Sequence, residues 1–468
     1  MTTDQVLVGV GLIMALAAGS QVAATRLRIP ALILLLPAGF VAGALTSDVN
    51  PQRLLGPAFT PLVSLAVAVI LYDAGLALGR NRLRGDPRRV VTRLITVGVV
   101  VTWVAGAGGA ALLLGMSWSA AVLLGAILVV SGPTVVGPLL AFVRPSPRLQ
   151  QVLSWEGSLI DPVGGILGAV VFESVTAGTH RVFGHRVVLF LTSVGVGVAG
   201  AAVGAAVLWL LLRTLGEVLG AVVQLALVIA VAAACDVVRE DAGLIAAVMM
   251  GLVVARLKDL DVPARRPFFE TLVQLIIGVL FVAIAATVTP ASLRHLVLPT
   301  LGLVALLVVV ARPLAALLAT VGTRLSPGER GFTAWMAPRG IVAAATASTF
   351  SAELVATGVA GASKILPATF LAIVVTVTLY GLTAAPAARL LGVTRRARAR
   401  PLLVGGAAWA LDLARVLRSA GLDLVMWASP LDQREAIAGE GLELASGELL
   451  ATATGGEAEA EGITAVLL

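Results

Sequence analysis

Apolar residues run along this chain in long blocks, not in the alternating pattern of a half-buried strand or the narrow stripe of a water-exposed helix. A helix needs about 20 apolar residues to cross the hydrocarbon layer of a bilayer. Thirteen blocks qualify: 4–23, 29–46, 60–79, 90–113, 119–142, 151–173, 187–212, 218–237, 241–256, 268–288, 295–320, 330–352 and 364–391. The pattern predicts an all-α polytopic membrane protein with about thirteen spans. The first block lacks a basic stretch before it and a small-residue cleavage site after it, so it reads as a retained span.

Composition agrees. The 468 residues are 59% hydrophobic and 13% charged, with a mean hydropathy of +1.01. A soluble domain carries roughly 25% charged residues, so this much apolar surface needs lipid around it. The net charge of +7 sits mostly in arginines of short loops beside spans, which points to topology and not to nucleic acid. Arg80, Arg82, Arg84, Arg88 and Arg89 follow the third block, and Arg395, Arg396, Arg398 and Arg400 follow the last. With thirteen spans, an outside N-terminus and a cytoplasmic C-terminus, the basic loops share one side. The other side then holds Arg53, Arg181, Arg186, Arg239, Arg294 and Lys364. The expected location is the inner (plasma) membrane. A single cysteine, Cys235, excludes a disulfide framework or a thiolate metal cluster.

The composition changes after Arg400. Residues 1–392 read as the membrane domain, 393–400 as a basic linker, and 401–468 as a soluble cytoplasmic appendage. Residues 401–430 have the order strand, glycine turn, helix, strand, as at the start of a Rossmann-like half domain. Gly405 and Gly406 form the turn that would face a nucleotide. Ala407 and Ala410 stand where the later glycines of the fingerprint belong, and the second strand ends without an acidic residue. The expectation is a regulatory or dimerising domain without a cofactor.

An ionisable side chain within a span costs about 2.5–3.5 kcal/mol on insertion scales, so it faces a cavity or a partner. Asp73, Glu156, Asp161 and Arg339 lie within predicted spans. Asp161 stands near the centre of the sixth, followed by Pro162, Gly164 and Gly165. These are expected to break the helix and free carbonyl oxygens beside the carboxylate. Such a site is hard and oxygen-rich, suited to a proton or an alkali cation. Ser158, three residues earlier, shares its helical face. Glu156 points about 140° away. The fifth span carries Gly132-Pro133 and Gly137-Pro138, with Ser131 and Thr134 beside them, and predicts two half-helices. The twelfth repeats the device with Pro338, Arg339 and Gly340. Two interrupted spans at corresponding places in two halves predict an inverted-repeat secondary transporter. Arg339 would offset a half-helix dipole or pair with Glu156 or Asp73.

YDAGL in span three, SGPTVVGP in span five, EGSLIDPVG in span six and APRGI in span twelve together resemble the monovalent cation/proton antiporters, specifically the bacterial sodium/proton antiporters of the cation:proton antiporter-1 type. The resemblance covers residues 1–392. It implies that Asp161 binds a proton or a cation in competition, that Ser131 supplies a backbone oxygen, and that Glu156 pairs with Arg339 while Asp73 is the acidic residue of the third-span motif. It also implies alternating access by a moving core against a dimerising scaffold, hence a homodimer. The chain departs from the family at Ile160, Gly132 and Gly157, where the family often has Asn, Asp and Ser. One carboxylate at the core points to electroneutral exchange of H⁺ for Na⁺. The alternatives are a K⁺/H⁺ antiporter regulated by its tail and a gated cation channel. No nucleophile elbow, P-loop or zinc motif supports an enzyme.

Overall fold

The computed structural model describes residues 3–27, 29–79, 83, 85–176, 183–213, 217–239, 242–257, 262–394, 400–422, 424–428, 430–444 and 463–467. The chain forms two compact units. The first comprises Met1–Leu260 with Phe268–Val393, the second Asp261–Pro267 with Thr394–Leu468.

The first unit is helical. Its helices are α1 (Thr3–Leu27), α2 (Leu32–Leu45), α3 (Phe59–Gly79), α4 (Gly85–Leu114), α5 (Trp118–Ile127), α6 (Pro133–Val143), α7 (Pro147–Thr176), α8 (Phe183–Leu212), α9 (Glu217–Val238), α10 (Ala242–Val254), α11 (Val262–Ala285), α12 (Val297–Thr320), α13 (Pro327–Trp335), α14 (Ile341–Ala356) and α15 (Ile365–Leu390). Among the described residues, eight helices are long and apolar enough to cross a membrane. A ninth is counted if the bent pair Pro51–Ala58 and Pro61–Leu76, kinked by 87°, is one span. Leu32–Leu45, Trp118–Ile127, Ala242–Val254 and Val342–Ala356 are shorter apolar helices. Large apolar side chains face outward, such as Leu112 at 86%, Val237 at 88% and Leu298 at 80% exposure. That arrangement suits lipid, and the protein is a multi-pass membrane protein.

Glycine lets two of these helices touch backbone to backbone. A Cβ built on Gly75 of α3 would lie 2.5 Å from the Val248 carbonyl oxygen, and one on Gly251 of α10 would lie 2.3 Å from that of Tyr72. Membrane helices lack a hydrophobic drive to associate, so such close packing holds them together.

The fifth and twelfth predicted spans are interrupted. Non-helical stretches separate α5 from α6 at 128–132 and α13 from α14 at 336–340. Pro133 opens α6, where its missing N–H is not needed. The sixth block differs from expectation. Pro162 does not break the helix: α7 runs unbroken for 30 residues with Pro162 inside it. The proline still removes one hydrogen bond, to the Ser158 carbonyl four residues back. Packing on both sides carries the helix through.

The second unit holds β1 (Arg400–Val404), α16 (Ala408–Ser419), β2 (Val425–Trp427), α17 (Leu431–Gly439) and β3 (Ile463–Leu467). Its sheet is parallel in the order β2-β1-β3, and Leu444 pairs in parallel with Met426 on the far side of β2. Leu403, Met426, Ala410, Ala414 and Ile437 form its core. Hydrogen bonds from Arg415 at 2.9 and 3.0 Å, together with its charge, hold the Glu440 carboxyl below the usual carboxylate range. This support is present at neutral pH and is lost as acid protonates Glu440; both groups are solvent-exposed, so it is small.

Replacing Gly251 with valine forces α3 and α10 apart. We expect a destabilisation at or above the 1–3 kcal/mol typical of overpacking, read as a lowered thermal midpoint of the purified protein in detergent.

Candidate functional site

The two interruptions meet beside α7. A Cβ on Gly157 would touch the Ser131 carbonyl oxygen at 3.4 Å and Pro133 Cα at 3.6 Å, and one on Gly164 would meet Val130 Cγ2 at 2.3 Å. Residues 130–133 therefore lie along α7 from Gly157 to Gly164, across Asp161. Asp161 is 0% exposed, and neither carboxylate oxygen has a hydrogen-bond partner among the described residues. Ser131 and Ser158 are also buried. Thr134 is the second residue of α6, and its side chain lies outside the described set.

Arg339 joins the two interruptions. Its backbone N–H donates to Thr376 Oγ1 at 3.2 Å, and its Nη1 donates to the Val129 carbonyl at 3.2 Å. Val129 follows the C-terminal end of α5, where carbonyls lack intrahelical donors and the helix dipole is negative. A buried guanidinium there satisfies both. Its Nε has no hydrogen-bond partner among the described residues.

The expected pairing of Glu156 with Arg339 does not form. Glu156 is held by Arg312 of α12, whose Nη2 donates to Oε2 at 2.9 Å and whose Nη1 donates to Oε1. Arg312 Nε donates to the Thr333 carbonyl at 2.8 Å, so all three nitrogens of the guanidinium are engaged. A bidentate pair of this kind is the strong form of the interaction. Arg312 stands well inside the predicted 295–320 span, and its charge at that depth was the signal that marks it. Thr376 carried no such signal: a threonine is common in membrane helices, and only the fold brings it to Arg339. Asp73 is half-buried on α3, beside Tyr72, whose hydroxyl accepts from Gln224 Nε2 at 2.6 Å.

Two spaces are lined by α7 residues on either side of Asp161, which itself lines neither. On the side of the N-terminal half of α7 is a cavity of about 20 Å³, room for about one water. Ser131, Glu156, Ile160, Arg312 and Arg339 line it. Towards the C-terminal half is a crevice of about 500 Å³ bordered by Ser64, Gly165, Phe172, Asp236, Phe350 and Glu353. Gly165 is one turn from Asp161. In the second unit, Gly405 and Gly406 form the turn after β1, but the Gly406 N–H already donates to Gln433 Oε1 at 2.9 Å, and the Gly405 N–H to the Trp427 carbonyl at 2.7 Å.

A buried carboxylate flanked by two interrupted membrane helices is the architecture of a secondary transporter. Residues 11–390 match the sodium/hydrogen exchanger transmembrane family, and the chain belongs to that family. It is 26% identical over 343 residues to the K(+)/H(+) antiporter NhaP of Alkalimonas amylolytica, covering 71% of this chain and 58% of that protein. It is 27% identical over 371 residues to the Na(+)/H(+) antiporter 1 of Methanocaldococcus jannaschii, covering 73% of this chain and 82% of that one. The fold is similar to that of the sodium proton antiporter MjNhaP1 from the same archaeon at pH 8, with a TM-score of 0.71 and 23% identity over 84% of this chain and 100% of that chain. These relatives are antiporters, not enzymes.

Removing Arg312 leaves Glu156 buried without its base. We expect Arg312→Ala to lose about 3–5 kcal/mol of stability, and the double change Arg312→Met with Glu156→Leu to recover most of it. Thermal unfolding of the four proteins in detergent measures both.

Proposed function

We propose that the protein exchanges protons for monovalent cations, Na⁺ foremost, by alternating access, with Asp161 as the carrier of both. The observation that carries this reading is Asp161 itself: fully buried, without a hydrogen-bond partner, on a helix that borders a large crevice and a small cavity. A bare carboxylate in such a place costs several kcal/mol even after relaxation. It is tolerable only with a proton or a cation, so it crosses loaded with one or the other, and that condition couples the two fluxes. One carboxylate binding one proton or one monovalent cation makes the exchange electroneutral.

The oxygens we assign to the cation are the Asp161 carboxylate, the Ser131 carbonyl, and the hydroxyls of Ser158 and Thr134. Arg339, Glu156 and Asp73 support the site. Counting each interrupted pair as one crossing and adding the shorter apolar helices supports thirteen spans; with the basic loops on the inner side, we assign the N-terminus to the outside and the second unit to the cytoplasm. The crevice at the C-terminal half of α7 then faces outward. The interrupted helices belong to the moving core, and a homodimer supplies the fixed scaffold. The exchange needs no cofactor. For the second unit, the spatial order Leu444–β2–β1–β3 supports a Rossmann-like half domain. The use of the Gly406 N–H by Gln433 favours a regulatory or dimerising role over nucleotide binding. The chain spans 58% of the length of the Alkalimonas protein, and because that relative is a K(+)/H(+) antiporter, K⁺ as the exchanged ion is tested beside Na⁺.

In everted vesicles with an imposed pH gradient, Na⁺, K⁺ or Li⁺ should dissipate the gradient with the parent protein and fail to do so with Asp161→Asn at equal membrane insertion. Retained exchange in Asp161→Asn would sink the assignment.

A further inference from the structure

Glu329, in the first turn of α13, is a buried carboxylate held by neutral donors. Its Oε2 accepts from the Ser326 N–H at 2.9 Å, while the Ser326 hydroxyl accepts from the Glu329 N–H at 3.1 Å. This reciprocal capping is local and sets the start of α13. Capping does not explain Oε1, which accepts from Ser146 Oγ at 2.9 Å, 183 residues away in the chain.

Ser146 stands in the short turn between α6 and α7. Its hydroxyl also accepts from the Leu149 N–H at 3.4 Å, and its carbonyl accepts from the Gln150 N–H at 2.9 Å, both in the first turn of α7. Its own N–H donates to the Val393 carbonyl at 2.7 Å, just past the end of α15. The turn is strained as well. Arg144, which caps α6, holds a left-handed φ of 52°, a conformation kept only where surrounding contacts enforce it. A further contact closes the knot: a Cβ on Gly328 would lie 2.1 Å from the Leu391 carbonyl oxygen, so the start of α13 is seated on the chain leaving α15. One serine and one glutamate thus bind together the α6–α7 turn, α13 and the last residue of the first unit. Asp161 stands about 20 Å along α7 from that turn.

The second unit begins at Thr394, next to this knot, and it also includes Asp261–Pro267, the opening of α11. The family match ends at residue 390, before it. Beyond that opening, α11 packs on other helices. A Cβ on Gly39 of α2 would lie 2.3 Å from the Val282 carbonyl oxygen, and Gln21 of α1 donates to the Gln274 carbonyl at 2.8 Å. The second unit is therefore joined by its own chain to two groups of membrane helices, α1–α2–α11 and the knot at the foot of α7.

We propose that the second unit is a strap between these two groups, and that Ser146 and Glu329 pass its restraint to α7 and so to the Asp161 site. This rests on the reading that the interrupted helices and α7 move against a fixed scaffold during exchange, and it gives the regulatory role of the second unit a point of action. A strap of this kind slows the movement of the core and leaves the oxygens around the cation untouched, so it acts on kcat and not on KM.

The test uses the full chain in proteoliposomes, with a Gly-Ser insertion of about ten residues between Val393 and Thr394, Ser146→Ala, and the two combined. The insertion leaves every contact of the first unit in place. It should raise kcat for Na⁺ about fivefold or more, the low end of ordinary coupling between distant parts of a protein, with KM unchanged. Ser146→Ala should also raise kcat, and the combination should rise no further than the insertion alone, because both cut one path. A merely structural role for Ser146 predicts a lower thermal midpoint and a kcat that falls or stays level. An insertion without a rise in kcat, a folded Ser146→Ala without one, or effects of the two that multiply would overturn the proposal. If Ser146→Ala does not fold, Glu329→Gln takes its place in the same cycle under the same criteria. Inactive Asp161→Asn beside an insertion that changes nothing refutes this inference alone; active Asp161→Asn refutes the reading beneath it.

Discussion

An ionisable group at membrane depth must be satisfied by what surrounds it, because no bulk water reaches it. The core of this protein is arranged around that constraint. Glu156, Arg312 and Arg339 border one small cavity, and Asp161 is buried against Gly132 of the 128–132 interruption. Glu156 and Arg312 pair with each other, and Arg312 Nε donates to the Thr333 carbonyl. Arg339 turns to the Val129 carbonyl at the end of a half-helix. Each base is thus engaged elsewhere, and Asp161 is left without a hydrogen-bond partner.

This division of labour explains why the helices break where they do. An unwound segment at membrane depth exposes carbonyls that need donors. Arg339 supplies one across the two interruptions, which ties residues 128–132 to 336–340 and presents them together beside α7. The Asp161 helix stays continuous despite Pro162, so the carboxylate rides on a regular helix while the non-helical backbone belongs to its neighbours. The crevice is bordered by residues of α3, α7, α9 and α14, with Leu244 of α10 and Ile284 of α11.

Much of this was legible in the residues alone. Block length and hydropathy reveal a polytopic membrane protein because the bilayer imposes one length on every crossing. Gly132-Pro133 and Pro338 with Gly340 reveal the two interruptions because proline and glycine act on their own backbone, whereas Gly137-Pro138 lies inside α6. Asp161 stands out because a carboxylate in the middle of an apolar block has no ordinary explanation. In the second unit the strand–turn–helix–strand order follows from local pattern in the same way.

The tertiary structure decided what depends on distance in space. Which arginine holds Glu156 is a choice between two buried bases, one on α12 and one in the 336–340 interruption, and spacing along the chain does not rank them; the fold brings Arg312 to it. Pro162 looks like a breaker from local chemistry, yet packing around α7 outweighs one lost hydrogen bond. The contact of Gly132 with Asp161 is invisible in sequence, since the two sit on separate elements. Local rules determined where the chain is helical, where it is interrupted and which carboxylate is out of place; only long-range packing determined which charges meet and which one is left alone.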